Sequence, residues 1–175
     1  MKKKVILPLL SIVMFLFVSG SNAYAYLFNT APKIYYPTDA YYWVDPDFKN
    51  FQSGYKWTEV DQSVNKWDAL PEIQFTTRVS STSNADVYIE WANAYSGDTY
   101  GRYVSGSNGH IIIYKAWFEL TETQERETIV HEVGHALGLA HTQKENDSIA
   151  VMRQYNFNNK DYPLSDDKAG IARLY

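Results

Sequence analysis

Cysteine is absent from the chain. Its absence excludes disulfides and thiolate chemistry, so stability must come from packing or from a metal held by other side chains. Long apolar runs are scarce as well. One extends from Val5 to Val18, behind Lys2, Lys3 and Lys4. It is shorter than the about 20 residues needed to cross a bilayer, and small and polar residues ending in Ala23-Tyr24-Ala25 follow it. Residues 1–25 therefore read as a secretory signal removed on export. Without cysteine no lipid can be attached behind that leader, and the expected destination is extracellular, with no membrane contact once the signal is gone. Positive charge is also in short supply. Lys plus Arg total 16 against 20 acids, a formal net charge of −4, and three of those cations lie in the leader, leaving −7 without it. An acidic chain of this kind argues against nucleic acid or an anionic membrane as partner.

Residues 26–175 have the length of a single domain with a real core, and no repeat, low-complexity tract or linker divides them. They are expected to act as a monomer. The stretch "KIYYPTDAYYWVDPDF" is aromatic and β-prone but interrupted by Pro37 and Pro46, as expected for one or two early strands. Val60, Val64 and Trp67 recur at i, i+4 and i+7, which predicts an amphipathic helix ending before Pro71. "EIQFTTR" resumes strand character. In "ADVYIEW", Val87, Ile89 and Trp91 alternate with Tyr88 and Glu90, the pattern of a half-buried strand. Residues 92–109 are rich in Gly, Ser, Asn and Tyr and read as a long surface loop before the short strand "HIIIY". Thr121 and Gln124 form a capping-box pattern, with Glu122, Glu125 and Glu127 placed where a helix dipole favours acids. Near the end, Ser165 is the candidate N-cap of a short closing helix bearing Ile171 and Leu174.

Histidine is rare, and three of the four lie in "TIVHEVGHALGLAH". On a helix, His131 and His135 share one face a turn apart, with Glu132 beside them. Gly138 can end that helix in a left-handed conformation, and the chain that turns there brings His141 within reach. Three nitrogen ligands leave zinc one open position, as catalytic sites require, and Glu132 is then the general base for an attacking water.

The sequence HEVGHALGLAH resembles the extended HExxHxxGxxH signature of the metzincin zinc metallopeptidases. Within that clan the chain is similar to a matrixin-type catalytic domain, with the order of flanking elements alike across most of residues 32–175. The resemblance implies an α+β fold with a twisted, mostly parallel sheet, an antiparallel edge strand, an active-site helix and a C-terminal closing helix. It implies a secreted zinc endopeptidase acting on extended protein or peptide substrates, with one catalytic zinc on His131, His135 and His141 and catalytic Glu132. Met152 matches the clan's methionine turn beneath the metal. Asp166 and Asp167 resemble the acidic pair of the closing helix, one of which hydrogen-bonds that turn. The wall of the pocket for the side chain after the scissile bond is expected near Tyr155 to Tyr162. The strand "HIIIYKAWF" is expected to pair with the substrate, which adds Ile112 and Tyr114 to Tyr155 as pocket candidates.

The likeness has gaps. His110 is the only histidine upstream of the motif, so the family's second, structural zinc is not expected, and His110 reads as a polar residue opening a strand. Asp98 stands nearly alone in the 92–109 loop, which leaves a calcium requirement open. Latency through a propeptide cysteine is excluded. Two other readings remain: a zinc-stabilised secreted binding protein without proteolytic activity, and a gluzincin-type peptidase whose third ligand is a distant acid. The retained Glu132 argues against the first and the position of His141 against the second.

Overall fold

Residues 26–175 are described by the computed structural model, and the expected leader, residues 1–25, lies outside them. Between the two prolines one strand forms rather than two. Pro37 and Pro46 each open a 3-10 turn, where proline's fixed φ and missing N–H cost least, and β1 (Ala40–Val44) fits between the turns. The helix α1 (Tyr55–Val64) continues into a 3-10 turn, Asn65–Ala69, that buries Trp67 completely. Leu70, ahead of Pro71, is already extended.

The strands β2 (Phe75–Arg78) and β3 (Val87–Ala92) follow, with Val87 and Ile89 fully buried as the alternation predicts. Residues 92–109 are not all loop. Gly101–Tyr103 forms β4, a strand too short to show a period and headed by a glycine, and β5 (His110–Tyr114) succeeds it. The sheet runs β2-β1-β3-β5-β4, parallel throughout except that β4 pairs antiparallel with β5 and closes one edge. This is the mostly parallel sheet with an antiparallel edge strand expected from the sequence, in an α+β arrangement.

It also corrects the expectation for "HIIIYKAWF". β5 is hydrogen-bonded on both sides, to β3 and to β4, so it has no free edge for a substrate. Ile112 sits opposite Arg102 and Glu90 in the register, alternating with the buried Ile111 and Ile113 that face the core.

The helix α2 (Glu122–Ala136) starts with the full capping box, Thr121 and Gln124 each bonding the other's backbone. It packs with α1 on the inner face of the sheet. Trp67 Nε1 donates to the Val130 carbonyl (3.1 Å) and Trp117 Nε1 to the Glu125 carbonyl (2.8 Å), so the two largest buried side chains fix the axial position of α2. The closing helix α3 (Ser165–Leu174) is capped differently from the sequence expectation. Leu164 is the N-cap and Ser165 the first helical residue, because the Asp167 carboxylate reaches back to accept the Leu164 N–H (2.7 Å). Among the described residues no helix is long and apolar enough to cross a membrane.

Candidate metal centre and active site

α2 ends at Ala136, and Gly138, at φ +105°, turns the chain back. That turn is what lets His141 meet the two helical histidines. The three Nε2 atoms converge, with His141 Nε2 3.2 Å from both His131 Nε2 and His135 Nε2. The other ring nitrogens are committed: His131 Nδ1 to the Val151 carbonyl (2.8 Å) and His135 Nδ1 to the Leu139 carbonyl (2.8 Å). A carbonyl only accepts, so each Nδ1 carries the proton and each Nε2 presents a lone pair. Three lone pairs aimed at one point repel one another unless a cation lies between them. Tetrahedral zinc with Zn–N bonds of about 2.0–2.1 Å sets its nitrogens about 3.3 Å apart, so the donor set fits that metal. Burial pushes His131 and His135 down to about 4 and lowers His141, which keeps the imidazoles neutral for coordination.

Beneath the histidines lies Met152, 2 % exposed. A Cβ on Gly134 would stand 2.3 Å from Met152 Sδ, so the glycine between the two helical histidines is what allows this approach. The turn is fixed from behind. Asp167 accepts the N–H groups of Val151 (2.7 Å) and Met152 (3.2 Å), and Asp166 accepts Thr142 Oγ1 (2.7 Å) and Asn146 Nδ2 (3.1 Å). Burial pushes Asp167 up to about 6 against the opposing pull of those N–H groups. Since the Val151 carbonyl holds His131, Asp167 is coupled to the metal site through two hydrogen bonds.

Residues 114–175 match the matrixin family model of peptidases. That stretch, which holds the three histidines and Glu132, is similar to the matrixin peptidases. A solved structure titled "Structure of myroilysin" aligns with a TM-score of 0.53 at 14 % identity, covering 82 % of this chain and 95 % of that one, which extends the likeness of fold beyond the matched segment. No curated protein matches the sequence.

Glu132 is buried beside the histidines, and its Oε2 accepts the Tyr103 N–H of β4 (2.6 Å). Burial raises its carboxyl, while His135 and that N–H oppose the rise. Such a group takes up a proton readily. β4 comes this close because residue 101 is glycine: a Cβ there would lie 2.9 Å from Thr128 Cγ2 and 3.1 Å from Glu132 Cγ.

A cavity of about 810 Å³ opens beside His131 and Glu132, walled by α2, by residues 98–101 and by residues 153–157. Tyr155 lines it, whereas Ile112 and Tyr114 do not, so those two pocket candidates are corrected: they belong to an interior strand. Asp98 lies on the cavity wall, and His110 pairs with Glu90 (2.7 Å) while stacking on Tyr88.

Two residues that hold the site in place were not singled out from the sequence. Asn29 Nδ2 donates to the carbonyls of His135 (2.7 Å) and Leu139 (2.8 Å), stapling the helix end to the turn that leads to His141. Tyr103 contributes only its backbone N–H. Neither carries a signal, since an isolated Asn and a main-chain donor look alike wherever they occur.

Proposed function

We propose that this matrixin-like domain is a secreted zinc endopeptidase that hydrolyses peptide bonds in extracellular proteins, with His131, His135 and His141 as zinc ligands and Glu132 as general base. The observation that carries the reading is three convergent Nε2 lone pairs beside a buried carboxylate at the mouth of a cleft. Zinc, when bound, supplies Lewis acidity that polarises a peptide carbonyl and acidifies water. Oε2 of Glu132 is anchored on the Tyr103 N–H, which leaves Oε1 to take the proton of the attacking water and deliver it to the departing amine.

β4 positions the substrate. Tyr100 and Val104, flanking the strand, bond to β5, so alternation turns the main-chain groups of Gly101 and the Tyr103 carbonyl towards the cleft, the Tyr103 N–H being held by Glu132. An extended peptide can pair there, leaving the following side chain to enter the cavity beside Tyr155. Met152, Asp166 and Asp167 hold the histidines from below. Export is supported by the composition of residues 1–25.

The test is cleavage of a mixed peptide library by zinc-loaded protein and by Glu132→Ala, with metal content measured in both. Cleavage by the unsubstituted protein alone, at equal zinc, is the expected result. Undiminished cleavage by Glu132→Ala overturns the assignment, and zinc binding without cleavage by either protein favours a binding role.

A further inference from the structure

We propose that Glu127 makes the cavity selective for substrates whose side chain after the scissile bond ends in a cation, lysine or arginine. The inference rests on the peptidase reading and adds the substrate class.

Glu127 lies four residues before His131, on the same face of α2, which places it one turn and about 6 Å along the axis from the metal site. It lines the cavity and is 2 % exposed. One carboxylate oxygen, Oε1, accepts the Asn158 N–H (3.0 Å). The other, Oε2, is buried with no hydrogen-bond partner among the described residues. A buried carboxylate oxygen without a donor is costly and uncommon, and this one belongs to a residue that lines the cavity beside the metal site.

The neighbouring acids show what is missing. Glu125 and Glu59 share the buried ammonium of Lys56, whereas Glu127 forms no ion pair among the described residues. Arg153, the cation on the cavity wall, turns its Nε to the Tyr155 carbonyl (3.1 Å) instead. The fixed charge around the cavity is negative on balance, with Asp98, Glu127 and Glu132 against Arg153. Burial raises the Glu127 carboxyl, while the backbone N–H groups of residues 158–160 and the charge of Arg153 oppose that rise.

A lysine stem of four carbons spans about the one-turn distance from the reacting bond to Glu127, and the apolar surfaces of Val151 and Phe157 can cover its methylenes. A shorter or neutral side chain leaves Oε2 unpaired.

The test compares matched peptides that differ only in the residue after the scissile bond: lysine, arginine, leucine or glutamate. With the zinc-loaded protein, kcat/KM for lysine or arginine should exceed that for leucine by about tenfold or more. Glu127→Gln keeps a carbonyl oxygen for the Asn158 N–H and removes the charge, so the lysine-to-leucine ratio should fall by about tenfold. Arg153→Ala should raise that ratio. A preference for leucine overturns the inference, as does a lysine preference that survives Glu127→Gln. A preference for glutamate overturns it in favour of Arg153 as the selector.

Binding of the same peptides to zinc-loaded Glu132→Ala, read by fluorescence anisotropy, supplies a ranking that needs no cleavage. If nothing is cut but lysine peptides bind best, the peptidase reading fails and the selectivity of the cavity stands. If binding shows no basic preference, the inference fails whatever is cut.

Discussion

In the first turns of α2, Glu125 is met by the Lys56 ammonium, which also bonds Glu59 at 2.9 Å, and Arg126 reaches Glu59 (3.4 Å) and Asp161 (2.6 Å). Two turns further on, His131 and His135 use their Nδ1 atoms on backbone carbonyls and join His141 in turning three lone pairs to one point. Both clusters are built around α2, yet the acids of the first are paired by the chain's own cations and the second requires a cation that no side chain provides. The difference separates charge that ties α1 to α2 from charge arranged for chemistry. Glu127, between them, belongs by this measure with the second group.

The largest effect should come from the open cluster. Glu132→Gln keeps an oxygen for the Tyr103 N–H but removes the proton acceptor, and kcat/KM should fall by about 10²–10⁴-fold with zinc content unchanged. A fall that tracks zinc loss would instead make Glu132 a part of the metal site.

Next comes the closed cluster. Lys56→Ala leaves the buried Glu125 without a cation and Glu59 with Arg126 alone, and should destabilise the fold by about 3–5 kcal/mol in denaturant titration, whereas replacing Lys56, Glu59 and Glu125 together by apolar residues should cost far less. Equal losses in the two variants would break the contrast.

Asn29→Ala removes the staple across the His135 and Leu139 carbonyls, and zinc affinity should drop by about 10-fold or more in competition with a chelator.

A last effect, read in the metal-free protein, is one of pH. With folded-state values near 4 for His131 and His135 in the metal-free protein, the unfolded chain binds more protons between about pH 4 and 6.5. Metal-free stability should therefore rise with pH across that window and be lost as pH falls through it, read as a shift of the unfolding midpoint. A flat profile would mean that the imidazoles are solvated without metal.

Much of this contrast is written in the chain. The periods of α1 and α2, the capping box at Thr121, the strand alternation in β3 and the histidine spacing are local patterns, and each is found where the pattern puts it. β4 was hidden because three residues led by a glycine have no readable period. The free edge was misplaced for a related reason: a β-prone run such as "HIIIY" does not say how many neighbours it will have. Glu125 and Glu127 look alike in sequence, acids near the start of α2 suited to the dipole, and they diverge because Lys56 arrives beside one of them.

The sequence by itself determined the tripod and the carboxylate beside it, since a helical turn and a glycine stop bring residues 131, 135 and 141 together by short-range geometry alone. Only the tertiary structure decided which strand lies at the edge, that Asn29 and Asp167 brace the histidines from opposite ends of the chain, and which buried acid is left without a cation. Those outcomes depend on contacts between segments far apart in sequence, and no local pattern encodes them.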